Sequence, residues 1–224
     1  ARMLLTQKSQ IEGARALSLF YAKFMDIEKL GTEEEKVHAD KVLQFLTPIC
    51  KAYMTDMGLE TTSLGVQVFG GHGFIREWGM EQLMRDVRIA MLYEGTNGIQ
   101  ALDLIGRKLT RDGGDMLNAT YQAFNELVEA MTDNDNKALA QGLLDDWRAS
   151  SADCLGMDAT TAASAACDYL AYTAYSLIGV LWFSMADTAA QSDNTVIATA
   201  KQKTRDFYID RILPHRDAHK VAYS

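Results

Sequence analysis

The chain has 224 residues, 48% of them hydrophobic and 23% charged, and a formal net charge of −8 from 22 Lys+Arg against 30 Asp+Glu. That balance belongs to a folded globular chain with room for one large core or two smaller ones, and it excludes disordered, collagenous and disulfide-stapled classes. The acidic excess argues against a nucleic-acid binder that tracks phosphates. The three scattered cysteines, Cys50, Cys154 and Cys167, lack metal-ligand spacing and fit buried thiols in a reducing, cytoplasmic setting.

The N-terminal ARMLLTQKSQ carries no basic-then-apolar leader. Apolar residues then recur at three- and four-residue steps: Leu17, Tyr21, Phe24 and Ile27 come first. Gly31 stands where a helix C-cap belongs, and Thr32 with Glu35 forms a capping box that opens the next helix. A further helix is predicted over 80–92, with Leu83, Met84, Val87 and Met91 on its apolar face and Arg85, Asp86 and Arg88 beside them. Leu102, Ile105 and Leu109 continue the pattern to Arg111-Asp112-Gly113-Gly114, a helix stop followed by a turn.

Beyond that break come Tyr121, Phe124, Val128 and Met131, then Leu139, Leu143 and Trp147. The acidic pairs Asp133/Asp135 and Asp145-Asp146 are expected in solvated turns, since no further ligands accompany them to make a metal site. Nothing between Asp168 and Asp187 is charged, a run at the lower length limit for crossing a membrane. Its three tyrosines, two serines and a threonine point instead to a buried core helix, so no membrane span is expected. Tyr169, Tyr172 and Tyr175, with Leu181, Trp182 and Met185 further along, form an aromatic stripe at helical spacing, read as core or helix interface. No β-branched run of period two competes anywhere. The expected class is all-α, with one helical bundle over residues 1–112 and a second over 113–224. The two halves carry net charges of −1 and −7.

Glycines of the first half gather at Gln67-Val68-Phe69-Gly70-Gly71-His72-Gly73-Phe74 and at Tyr93-Glu94-Gly95-Thr96-Asn97-Gly98. Such clusters let the backbone approach a ligand closely, or simply make tight helix–helix turns. Glu94 leaves the C-terminus of a helix, where the dipole disfavours an ionised carboxylate; desolvation there would raise its pKa toward the range of a general base. Thr96 and Asn97 begin the next helix, whose free N–H groups suit an anion. A solvated cap is the alternative reading of Glu94, and His72 is read as a turn-packing residue.

The ordered set Gln67-Val68-Phe69-Gly70-Gly71-His72-Gly73-Phe74, Arg85-Asp86-Val87-Arg88-Ile89 and Tyr93-Glu94-Gly95-Thr96-Asn97, with Glu12-Gly13-Ala14-Arg15 in an earlier helix, resembles the C-terminal helical domain of acyl-CoA dehydrogenases over about residues 3–110. The resemblance implies an all-α, four-helix-bundle fold and a role for Glu94 as the base that removes the α-proton of an acyl-CoA thioester. The β-hydrogen would leave as hydride to N5 of FAD, giving a trans-2-enoyl-CoA. It further implies that Gln67, Gly70 and Gly71 contact the FAD of a neighbouring subunit, that Thr96 binds the flavin of its own subunit, and that Tyr93 and Gly95 lie near the thioester. A homo-oligomer (a dimer or dimer of dimers) and electron-transfer flavoprotein as electron acceptor follow from the same resemblance; a metal does not. Gly98 stands where many members have a glutamine, so one polar flavin contact is expected to be missing or supplied elsewhere.

Residues 113–224 resemble the extra helical domain of a longer branch of the family, the branch that includes 3-methylmercaptopropionyl-CoA dehydrogenase, in arrangement and in patches such as Thr204-Arg205-Asp206-Phe207-Tyr208. Because the family's N-terminal helical and central β-domains would precede Ala1, the chain is expected to be the C-terminal part of a larger enzyme and inactive alone. The alternative is a non-catalytic helical interaction module derived from the same fold.

Overall fold

The computed structural model describes residues 1–223, and every regular element among them is helical. Helix α1 (Arg2–Leu30) and helix α2 (Glu33–Phe69) form an antiparallel pair joined at Gly31-Thr32. The predicted capping box is present: Glu35 N–H donates to Thr32 Oγ1 at 3.3 Å, and Thr32 N–H donates to Glu35 Oε2 at 2.8 Å. Helix α2 runs unbroken through Pro48, whose ring is buried. Two short 3₁₀ turns then lead to α3 (Met80–Val87), and a third (Arg88–Met91) precedes α4 (Asn97–Leu102), which continues as wide π-type turns over Asp103–Arg111. The helix predicted over 80–92 therefore tightens after Val87. The second half holds α5 (Asp115–Glu129), α6 (Asn134–Asp153), α7 (Ala159–Ala190), α8 (Thr195–Phe207) and α9 (His215–Tyr223).

The uncharged run is the centre of the fold. Helix α7 packs against α1, α2, α4, α5, α6, α8 and α9, and one hydrophobic core extends from Ala14 to Tyr223 across both halves of the sequence. It is long and apolar enough to cross a membrane, yet 78% of its most apolar window is buried by the other helices. Tyr169, Tyr172 and Trp182 of the aromatic stripe are fully buried. Close approach of α1 depends on Gly13, where a Cβ would meet Ile178 Cγ2 at 2.5 Å. That proximity lets the Trp182 indole N–H donate to the Ser9 carbonyl at 3.1 Å. Cys154 is buried, Cys50 half-buried and Cys167 exposed, so the expectation of three buried thiols holds only in part. Burial pushes the Cys50 thiol up to about 12 and that of Cys154 to about 11, leaving both poor nucleophiles.

Two carboxylates fasten the second half. Asp187, only 3% exposed, accepts from Asp133 N–H at 2.7 Å, from Thr132 N–H at 3.1 Å and from Gln191 Nε2 at 3.1 Å, tying the α5–α6 loop to α7. The sequence expectation of solvated turns fails at Asp145-Asp146, which lie inside α6. Asp146 accepts from Arg216 Nη2 at 2.7 Å, Lys220 Nζ at 2.8 Å and Tyr172 O–H at 3.0 Å, and His219 Nδ1 lies 2.7 Å from Asp168 Oδ1, so α9 is clasped by charge as well as by packing. Asp133 does occupy a turn, where it caps α6 by accepting from Asn136 N–H at 2.8 Å.

Replacing Asp187 with Ala removes the acceptor that ties the 132–133 turn to α7, leaving its N–H groups to water. It should cost about 1–3 kcal/mol, read from denaturant unfolding. Acid should act on the other clasp. Burial alone would raise the Asp146 carboxyl, but hydrogen bonds from Lys220 and Tyr172 and the Arg216 charge outweigh it and hold the group below its ordinary 3.8. A carboxylate lowered in the folded state stabilises above its unfolded pKa and loses that contribution as pH falls through the folded value. Amide exchange in α9 should therefore accelerate only below about pH 4, whereas Asp146→Asn should loosen α9 at neutral pH.

Candidate active site

The seven candidate residues fall on one edge of the first half, at two places. The first is the end of α2. Gln67 is exposed on its last turn, and Gly70 closes the helix at φ +62°, with its N–H donating to the Gln67 carbonyl. Nothing lies within 4 Å of where a Cβ would stand on Gly70 or Gly71, so their backbone is open on the outside. Gly73 faces inward instead, where a Cβ would stand 2.3 Å from the Val66 carbonyl oxygen. His72 packs edge-on against Trp78, with ring centroids 5.3 Å apart, in keeping with a turn-packing role.

The second place is the turn between the 3₁₀ segment Arg88–Met91 and α4. Glu94 has φ +57°, the only positive φ of a non-glycine residue among those described, and Gly95 follows at φ +84°. A left-handed conformation costs a glutamate roughly 1–2 kcal/mol, and such strain persists only where its surroundings hold it in place. Gln100 supplies one restraint, its Nε2 donating to the Glu94 carbonyl at 3.0 Å. Thr96 caps α4, with its Oγ1 accepting from Ile99 N–H at 3.5 Å. Tyr93, Glu94, Gly95 and Thr96 are all exposed. The desolvation that would turn Glu94 into a base is therefore not provided by this chain's own residues.

Asn97 departs from the sequence reading, because its side chain is turned toward α2. Its Nδ2 lies 2.7 Å from Asp56 Oδ1 and 3.1 Å from the Ala52 carbonyl oxygen, and its Oδ1 accepts from Lys51 Nζ at 2.7 Å. The anchoring residues Lys51, Thr55, Asp56 and Gln100 carry no local sequence signal. Lys51, Thr55 and Asp56 sit mid-helix, more than forty positions from their partner and are invisible to any short motif.

The two places are not one pocket. Asn97 docks beside Ala52–Asp56, whereas Gln67 and Gly70 lie 11 to 18 residues further along α2, roughly 20 Å at 1.5 Å per residue. Cavities elsewhere, such as one of about 310 Å³ lined by Gln10, Tyr175 and His215 and a groove of about 550 Å³ lined by Arg15 and Lys201, include none of the seven candidates. The segment between the two places exposes large apolar side chains among its charged ones: Phe74 is 82% exposed, and Ile75, Trp78, Leu83, Ile89 and Leu92 are exposed with it, alongside Arg76, Glu77, Arg85, Asp86 and Arg88. Among the described residues no group of three or more His, Cys, Asp or Glu is placed to hold a metal.

The family model described as acyl-CoA dehydrogenase, C-terminal domain, matches residues 1–110, and that described as acetyl-CoA dehydrogenase C-terminal like matches residues 108–223. The chain belongs to the acyl-CoA dehydrogenase family. It is 44% identical over 129 residues to 3-methylmercaptopropionyl-CoA dehydrogenase of Ruegeria pomeroyi, covering 58% of this chain and 21% of that protein. It is 43% identical over 115 residues to a butyryl-CoA dehydrogenase of Syntrophomonas wolfei, covering 51% and 19%. With the broad-specificity linear acyl-CoA dehydrogenase FadE5 of Mycobacterium tuberculosis it shares 35% identity over 149 residues, covering 64% and 24%. The chain thus spans about a fifth of the length of these curated relatives. Among solved structures, Caenorhabditis elegans ACDH-11 in complex with C11-CoA superposes with a TM-score of 0.76 at 19% identity, over 92% of this chain and 35% of that one. An acyl-CoA dehydrogenase complexed with FAD from Bacillus anthracis gives 0.71 at 16% identity, over 100% and 42%. At these identities the structural likeness shows the fold alone.

Gly73→Ala is expected to push the 66–73 backbone apart and to cost about 1–3 kcal/mol, as overpacking does. Thermal unfolding together with amide exchange of the 66–78 segment would measure it.

Proposed function

We propose that this chain is the C-terminal helical part of an FAD-dependent acyl-CoA dehydrogenase that converts an acyl-CoA thioester to the trans-2-enoyl-CoA, with Glu94 as the base that takes the α-proton. The observation that carries the reading is the strained, restrained turn at Glu94. A non-glycine residue held at φ +57° with its carboxylate pointing into open space costs stability for no packing return. Such a cost is expected where a reacting group must be held in place.

The residues at both places fit the flavin. Gly70 and Gly71 leave their backbone open, and Gln67 offers an exposed amide beside them; Thr96 has a hydroxyl at the head of α4. FAD, when bound, supplies the oxidant that accepts the β-hydride. This chain's part is to hold the proton acceptor: Glu94 takes the α-proton on its carboxylate, and Tyr93 and Gly95 border the thioester. In keeping with the family resemblance, Gln67, Gly70 and Gly71 contact the flavin of a neighbouring subunit in a homo-oligomer, a dimer or dimer of dimers; their distance of roughly 20 Å from the Glu94 turn along α2 leaves room for that division. The exposed Ile89 and Leu92, just before the Glu94 turn, are where the remaining protein excludes water from the base. The chain alone is then inactive, the complete enzyme works in the cytoplasm, and its electrons pass to electron-transfer flavoprotein.

In the complete protein, Glu94→Gln should keep FAD bound and slow bleaching of the flavin by acyl-CoA by about 10²–10⁴-fold, the usual contribution of a general base. Unchanged flavin reduction would remove Glu94 from the role.

A further inference from the structure

From Phe74 to Gln100 no residue is buried, and α4 buries only Ala101. The Glu94 turn therefore has no apolar side chain driven into the core to hold it. Before it, Met80 and Val87 rest half-buried on α2 at Gly65 and Gly58, and after it Ala101 is buried; the side-chain hydrogen bonds that tie the turn itself to α2 run through Asn97. The Asn97 amide is gripped at both ends by charge: Lys51 Nζ donates to Oδ1 at 2.7 Å, and Asp56 Oδ1 accepts from Nδ2 at 2.7 Å. The Ala52 carbonyl at 3.1 Å and Thr55 Oγ1 at 3.0 Å stand on the same nitrogen. This pairing permits one orientation of the amide only, because rotating it would set its N–H groups against the ammonium and its oxygen against the carboxylate. Hydrogen bonds with a charged partner are also roughly twice as strong as neutral ones.

We propose that Asn97 is a positioning residue for Glu94, held by Lys51 and Asp56 of α2. The proposal rests on the reading of Glu94 as the base. Asn97 is the first residue of α4, so fixing its side chain on α2 fixes the start of that helix. Three residues on, Gln100 Nε2 returns to the Glu94 carbonyl at 3.0 Å. The restraint thus passes from α2 through Asn97 and α4 to Gln100, and ends on the one described non-glycine residue held in the left-handed region. Without it, the turn is free to relax to φ < 0, which swings the carboxylate away from a substrate whose place is set by other parts of the enzyme.

The test is made in the complete, FAD-loaded enzyme. Asn97→Ala should speed amide exchange across residues 92–100 at least tenfold and lower kcat for flavin reduction by about 10- to 100-fold, with KM changed less than about twofold. Asn97→Asp sets a second carboxylate against Asp56 and the Ala52 carbonyl and should behave similarly; adding Asp56→Asn returns a donor at the first of these contacts and should raise kcat at least about threefold above that of Asn97→Asp. That recovery would also separate positioning from a general loss of stability. Unchanged exchange and kcat in both single variants would overturn the proposal, as would a loss confined to KM. A fully active Glu94→Gln enzyme would overturn the base assignment by a separate measurement, while exchange in Asn97→Ala reports on the clamp itself.

Discussion

The fold depends on burying α7. A 32-residue helix with no charge between Asp168 and Asp187 cannot sit at a surface, and the structure covers it on nearly every side. Covering it sets the rest. Gly13 lets α1 approach within reach of the Trp182 indole, α2 and α4 follow α1, and α5, α6, α8 and α9 close the other faces. The two family-model segments, 1–110 and 108–223, consequently share one hydrophobic core, although the sequence breaks cleanly at Gly113-Gly114. Apolar burial at about 25 cal/mol per Å² is non-directional, so the ordering of the helices around α7 is left to polar fasteners such as Asp187 and Asp146.

Against that rigid body, the edge that carries the candidate chemistry is built differently. Its turns project several apolar side chains outward, and side-chain hydrogen bonds from Asn97 and Gln100 help to hold their backbone. Strain at Glu94 and the open backbone at Gly70-Gly71 are tolerable because α2, anchored in the core, carries both. One long helix thus carries both places, one beside its middle and the other at its end. That division is a matter of helix rise, at 1.5 Å per residue.

Much of this was legible in the residues themselves. The 3.6-residue period marks the helices, Thr32 and Glu35 announce the α2 start, and a charge-free aromatic run with scattered hydroxyls reads as a core helix. The Tyr93–Asn97 and Gln67–Phe74 strings carry the family. Legibility failed where a residue's partner lies far along the chain. Asp146 reads as one of two acidic neighbours, and only α9 folding back makes it the acceptor for Arg216 and Lys220. Asn97 reads as a helix start near an anion seat, but its amide is taken up by α2.

The sequence by itself determined the helical class, the family and the candidate site residues, because periodicity, caps and motifs are encoded within a few neighbouring positions. Only the tertiary structure decided that both halves share a core, that Glu94 sits in an exposed left-handed turn, and that Gly70 and Gly71 stand far from it along α2. Those outcomes depend on contacts between residues forty to nearly two hundred positions apart, such as Lys51 with Asn97 and Ser9 with Trp182, and a contact at that range leaves no local pattern to read.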